Sequence, residues 1–353
     1  MNTKTTGFSF PQLFTQFTLL TLLSLTIHAH PVPDSNMWLT YKGETGPGKG
    51  KHIVLIAADQ EYRSEEAMPM LAKILSKHYG FDCTVLFALD ETGKVDPTMP
   101  THPKKGQEAS FKPHNVPGTE YLAKADLVIF FHRFLTLPEG QLQNIVNYLD
   151  SGKPIIALRT ANHGFRGNLP YKIDGKNVHF GRDILGGAFM KHHGGWKREA
   201  TRGIIEKKNQ NHPILKGVSD IWGPSDVYRT YKEGQSLPEG CQTLVWGQPL
   251  MSLKKDDQPN TKKEPLPVAW IKNWKTTSGK NAKVFNTTMG SARDLQSTGL
   301  RRLVVNAAFW CMDMEDSIKP DSSIDYVGKY EPKLSGFNYE KFGITPQPPS
   351  YFR

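Results

Sequence analysis

"HIVLIAADQEYRSEEAMPMLAKILSKHYGFDCTVLFAL", residues 52–89, contains one full repeat of the pattern that sets the fold. "HIVLIAA" (52–58) is a continuous apolar run, the pattern of a strand buried on both faces. In the next segment Met70, Leu71, Ile74 and Leu75 share one helical face. Glu65 and Glu66 lie in its first turn and Gly80 ends it. Ser64 is the expected N-cap, and Pro69 falls in the first turns, where proline costs least. "DCTVLFAL" (82–89) is the next buried strand.

The alternation continues beyond a proline-rich loop, 90–118. "ADLVIFF" (125–131) reads as a strand, and 138–152 as a helix with Leu142, Ile145, Val146 and Leu149 on one face. "PIIAL" (154–158) is a further strand. This order predicts an α/β fold, a parallel sheet flanked by crossover helices. The second half predicts strands at 202–206, 242–247, 266–271 and 282–289. A helix capped by Ser297 is expected over 297–314, and an exposed loop over 248–265. From about Glu315 the chain has few helix or strand signals and reads as an extended tail.

The chain has 353 residues, with 44 Lys plus Arg against 34 Asp plus Glu, a net charge of +10. The basic residues are scattered in pairs such as Lys207-Lys208, so a solvated surface is expected and no nucleic-acid partner. Lys4 is the only charge before Asp34. "LFTQFTLLTLLSLTI" (13–27) reads as the apolar core of a secretory signal, with Ala29 at a plausible cleavage position. Removal of residues 1–29 leaves no segment able to span a membrane, and the mature chain is expected to be exported. Residues 30–50 read as a linker, 51–315 as the domain and 316–353 as the tail. Three cysteines allow at most one internal disulfide. Cys83 and Cys311 sit in apolar stretches that suit buried thiols.

In a parallel sheet the strand ends converge on one rim, where ligands bind. The strand at 52–58 runs into Asp59, Glu61, Tyr62 and Arg63, and that at 125–131 into His132 and Arg133. The strand at 154–158 runs into Arg159 and His163. Carboxylates, arginines and histidines together suit a polar, hydroxyl-rich or anionic ligand. "KHHGGWK" brings in His192 and His193, of which one at most points inward from a strand. "HPILKGVSDIWGPSDVYRTY" offers Trp222, Asp226 and Tyr228, an aromatic near a carboxylate that can serve as a sugar platform. No G-x-S-x-G elbow, Walker loop or G-x-G-x-x-G motif occurs, so nucleotide chemistry lacks support. No His-Glu-x-x-His spacing occurs either. The histidines leave room for a divalent metal, but nothing specifies one.

In order, "HIVLIAADQEYRSEEAMPMLAKIL", "KPIIALRTANHGF", "FGRDILGGAFMKHHG", "HPILKGVSDIWGPSDVYR", "LPVAWIK…KVFNTTMGSARDL" and "LRRLVVNAAFWCM" resemble the ThuA-like, trehalose utilisation family. The resemblance spans about residues 51–315. It implies a flavodoxin-like fold related to class I glutamine amidotransferases, and a link to sugar catabolism around 3-keto derivatives of disaccharides. Amidotransferases of that class carry a cysteine at the turn matching "RTANHG". None of the three cysteines lies there, so thiolate hydrolysis of glutamine is not expected. The resemblance implies a histidine near this turn, a role that His163 can fill. The usual Asp-Glu-x-Tyr appears as "SDVY", which keeps Asp226 and Tyr228. The usual Gly-His after the late strand appears as Gly290-Ser291, two residues before Arg293.

These readings give His163, His192, His193 and Asp226 as candidate catalytic residues. Asp59, Glu61, Tyr62, Arg63, His132, Arg133, Arg159, Trp222, Tyr228 and Arg293 are candidate contacts to a small carbohydrate. Acid/base chemistry on a sugar or 3-keto-glycoside is expected, with a non-catalytic sugar-binding module as the alternative.

Overall fold

The computed structural model describes residues 1–4, 7, 30–106 and 111–353. The apolar stretch 13–27, read as an export signal, lies outside the described residues. In chain order the strands are β1 (Trp38–Tyr41), β2 (His52–Ala58), β3 (Asp82–Phe87), β4 (Leu127–His132), β5 (Ile155–Ala157), β6 (Lys172–Ile173) and β7 (Lys176–Asn177). They continue as β8 (Lys191–His192), β9 (Thr201–Ile205), β10 (Trp222–Gly223), β11 (Tyr228–Arg229), β12 (Gln242–Pro249), β13 (Leu266–Lys275) and β14 (Asn281–Thr287). Ten of them form one sheet in the order β1-β3-β2-β4-β5-β14-β13-β12-β9-β10.

Strands β3, β2, β4, β5 and β14 are parallel. This is the flavodoxin-like α/β core. β1 closes one edge antiparallel to β3, and β13, β12, β9 and β10 extend the other edge antiparallel. The apolar run of β2 serves two cores by simple alternation. Ile53, Leu55 and Ala57 face a core shared with helices α1 (Ser64–Tyr79) and α3 (Thr298–Cys311). Val54, Ile56 and Ala58 face the core under α2 (Glu139–Asp150). Each large aliphatic side chain buried this way contributes roughly 1.5–3 kcal/mol, so the unbroken run fixes β2 at the sheet centre.

Two expectations need correction. The presumed linker 30–50 contains β1, whose four residues are too few to give a strand pattern in sequence. Ser64 is not the N-cap. Arg63 holds that position in the left-handed region (φ 61°), and the Ser64 hydroxyl accepts from the Asp59 amide at 2.8 Å instead. In the second half, where the sequence left strand direction open, β13, β12, β9 and β10 run antiparallel. Gly80 does terminate α1, with φ 78° and its amide bonded to the helix's last carbonyls. Ser297 caps α3 by accepting from the Leu300 amide at 3.3 Å.

The chain leaves β2 for β3 on one side and later returns to β4 on the other. The strand order therefore reverses between β2 and β4, where parallel sheets open a crevice. Ala58 pairs with His132 across that gap, so Asp59 and Arg133 leave the sheet side by side.

Candidate functional site

A buried arginine organises the rim. Arg159 follows β5 and is 1% exposed. Its Nη1 donates to the carbonyls of Asp226 (2.7 Å) and Thr288 (3.0 Å). Its Nη2 donates to Asp226 Oδ1 (2.8 Å) and the Tyr62 hydroxyl (3.0 Å). The guanidinium also lies 4.5 Å from the Tyr62 ring centroid and 4.8 Å from that of Tyr228, held between two π faces. Burial opposes its charge, but Tyr62, Asp226 and Tyr228 more than offset this and hold its pKa above the ordinary value.

The same carboxylate orients a histidine. Asp226 Oδ2 accepts from His192 Nδ1 at 2.7 Å. The pairing of β8 with β11 sets His192 opposite Tyr228, which brings the ring to Asp226 two residues earlier. Asp226 is buried while the His192 side chain is 45% exposed. The Nε2 of His192 has no hydrogen-bond partner among the described residues. A ring fixed through Nδ1 by a buried carboxylate presents Nε2 outward in one tautomer, the arrangement needed to take or give a proton.

The loop after β2 is pinned by Asp59. Its Oδ1 accepts from the amides of Glu61 (2.7 Å) and Tyr62, and its Oδ2 from the Thr160 hydroxyl. Glu61 then accepts from Trp196 Nε1 at 2.7 Å, and Arg133 Nε lies 3.5 Å away. Trp196 Nε1 also reaches the Tyr62 hydroxyl at 3.2 Å.

Burial first, then the neighbouring Asp59, raises the Glu61 pKa above its ordinary 4.5, against the pull of Arg133 and Arg159. The folded chain thus binds the Glu61 proton more tightly than the unfolded chain. The stability cost is absent below about pH 4.5 and grows as pH rises through the folded value. Glu61→Gln keeps an oxygen for Trp196 and removes that cost. Thermal melts are expected to show a gain in Tm at pH 8 that vanishes near pH 4. A gain of equal size at both pH values would contradict this account of Glu61.

Of these groups Tyr62, Trp196 and Asp226 border a cleft of about 200 Å³, which Lys197, Ser225 and Arg293 also line; His192 adjoins it through its bond to Asp226. Asp294 braces Ser225, one of the lining residues. Its Oδ2 accepts from the Gly290 (3.0 Å) and Ser291 (3.1 Å) amides and from the Ser225 hydroxyl, and Oδ1 accepts from the Ser225 amide (3.0 Å). The turn after β14 is thereby tied to the "SDVY" segment. Ser291 is fully buried and bonded to the Asp294 amide.

The tail supplies the remaining wall through Leu334, Ser335 and Phe342. It is held by the Gly336 amide on the Glu61 carbonyl (2.7 Å) and by the Lys333 amide on Glu66 (2.8 Å). Sequence reasoning missed this wall and also Trp196 and Lys197. The only signal for the latter two is that "GGWK" follows His192 and His193 directly.

Several expected contacts lie elsewhere. His132 keeps the strand alternation of β4, so its ring joins Phe130, Phe165 and Phe180 in the core. Burial pushes its pKa down to about 3, and neither ring nitrogen has a partner. Gly164 lies against this ring; a Cβ there would stand 2.3 Å from His132 Nε2. The left-handed backbone at Arg63 turns its side chain under the tail, onto the Gln60 and Gly336 carbonyls. Trp222 pairs with Arg202 at the outer edge of the sheet. His193 turns to the Glu264 carbonyl (2.8 Å), away from Asp226.

His163 ends a short turn, Ala161–His163, and packs against Phe134 and Phe189 at ring distances of 4.9 and 4.8 Å. It lines a neighbouring cleft of about 300 Å³, and Phe189 stands between it and His192. Burial first, then Arg133 and Arg159, holds its pKa well below the ordinary value. Among the described residues no three or more His, Cys, Asp or Glu side chains are grouped to hold a metal. His192 and Asp226 are bonded to each other, with no third His, Cys, Asp or Glu grouped with them among the described residues.

Fold and site together define a flavodoxin-like α/β protein with an aspartate-held histidine beside its cleft and no cysteine among the described residues lining it. The chain belongs to the ThuA family, described as trehalose utilisation, whose sequence model matches residues 54–311. Membership implies a role in carbohydrate metabolism. A ThuA-like protein from Parabacteroides merdae ATCC 43184 is 14% identical with a TM-score of 0.45, covering 86% of this chain and 99% of that one. One from Bacteroides uniformis ATCC 8492 is 15% identical with a TM-score of 0.43, covering 79% and 98%. No curated protein matches the sequence.

Proposed function

We propose that this chain is an exported enzyme acting on a sugar or 3-keto-glycoside by proton transfer through His192. The observation that carries the reading is the line Arg159–Asp226–His192, in which two buried groups hold a partly exposed imidazole next to the cleft that Asp226 lines. His192 moves the proton at Nε2. Asp226 fixes its tautomer and supports the imidazolium that forms, and Arg159 holds Asp226 in place. Tyr62 and Trp196 offer an aromatic wall for the apolar face of a pyranose. His163 is assigned to the wall of the neighbouring cleft, because a group held neutral far below its ordinary pKa is a weak base. Export rests on the apolar stretch 13–27 and on Lys4 as the only charge before Asp34.

The test is to incubate the purified chain and its His192→Gln variant with a panel of 3-keto-disaccharides and neutral sugars, and to follow product formation. Turnover by the unaltered chain and its loss in the variant are expected. Turnover at the same rate in a folded His192→Gln chain would remove His192 from the mechanism. Binding without turnover by both would favour a sugar-binding module.

A further inference from the structure

We propose that the cleft takes an acidic monosaccharide unit, a uronate or aldonate, whose carboxylate is held by Arg293 and Lys197. This rests on the reading of the cleft as a sugar site and narrows its substrate class. The argument is one of unspent charge. Three charged side chains line the cleft: Lys197, Asp226 and Arg293. Asp226 is neutralised by Arg159 at 2.8 Å and bonded to His192. The guanidinium of Arg293 has no hydrogen bond or ion pair with any described residue, although it is half-buried at the cleft wall. Elsewhere this protein pairs its rim arginines, Arg133 with Glu61 and Arg229 with Glu264.

Lys197 likewise has no carboxylate partner among the described residues. Its ammonium lies 4.1 Å from the Trp196 ring centroid and 5.9 Å from that of Phe337, so it is held over the aromatic wall. Gly336 makes room for it; a Cβ there would stand 2.2 Å from Nζ. Two unpaired cations face a largely apolar cleft with one neutralised carboxylate, which leaves a positive potential that favours an anion. The planar fork of arginine matches a carboxylate in two parallel hydrogen bonds, and lysine adds a point charge. The cleft, at about 200 Å³, is below the range of roughly 300–1,000 Å³ that holds drug-sized ligands, which suits a single sugar ring.

The test is titration calorimetry of the full chain at low salt. The ligands are glucuronate, galacturonate and gluconate, the neutral sugars glucose and galactose, and glucose 6-phosphate. At least one of the three acids is expected to bind tenfold or more tighter than glucose and galactose. Arg293→Gln and the exposed Lys197→Gln are each expected to reduce that preference several-fold, with circular dichroism confirming folding. The proposal is overturned if no acid outbinds the neutral sugars, or if glucose 6-phosphate outbinds every carboxylate. It is also overturned if the preference survives in both variants. Calorimetry reads binding without turnover, so failure here leaves proton transfer at His192 standing, and a failed turnover assay leaves this result standing.

Discussion

Replacing Arg159 by methionine is expected to destabilise the fold by about 3–5 kcal/mol, the usual cost of stripping one partner from a buried ion pair. For a chain of this size that is a fall in Tm of about 4–7 °C. The loss has three parts. Asp226, buried beneath the rim, loses the cation that balances it. The carbonyls of Asp226 and Thr288 lose their donors, and the Tyr62 hydroxyl loses one of its two. The rings of Tyr62 and Tyr228 close on a thioether instead of a guanidinium. Removing the charge on both sides, with Arg159→Met and Asp226→Leu together, is expected to restore most of the stability, because no unpaired charge then remains. Equal destabilisation by the single and the double variant in thermal melts would show that the pair does not set the rim's stability.

The second large effect is on rate. Asp226→Asn is nearly isosteric and keeps a contact to His192, but it removes the negative charge and allows the amide to present a donor to Nδ1. The imidazole then loses its fixed tautomer and the support of its protonated form. Positioned general bases contribute about 10²–10⁴-fold, so kcat on a 3-keto-glycoside is expected to fall by at least about 100-fold. His192→Gln removes the proton-carrying group and is expected to cost at least as much. Asp226→Asn keeps the shape of the cleft wall and His192 does not line it, so KM should move little. Losses confined to KM would mean that the pair binds substrate rather than moves its proton.

The sheet was readable from sequence because each central strand is apolar on both faces and each helix has a clear apolar stripe. Residues 52–58, 125–131 and 154–158 all announce themselves this way. β1 did not, since four edge residues carry no period. The antiparallel half gave its strands but not their direction, which depends on pairing partners far apart in sequence, such as Gln242 with Ile271.

At the site, Arg159, Asp226, Tyr62 and Glu61 were legible as polar residues just beyond strand ends or within a family motif. His132 and Arg63 satisfied the same rule and are buried elsewhere, because strand alternation turns one inward and a left-handed backbone turns the other under the tail. The tail's contribution was illegible. Leu334, Ser335 and Phe342 form a wall only because the Gly336 and Lys333 amides dock on Glu61 and Glu66, more than 260 residues away in the chain.

The central claim is that Arg159, Asp226 and His192 act as one unit in proton transfer. A double-mutant cycle on kcat, comparing Asp226→Asn, His192→Gln and the combined variant with the unaltered chain on one 3-keto-glycoside, tests it most directly. The account predicts that the combined variant is no slower than His192→Gln alone, since Asp226 works only through that ring. Losses that multiply, or no turnover by the unaltered chain, would contradict it.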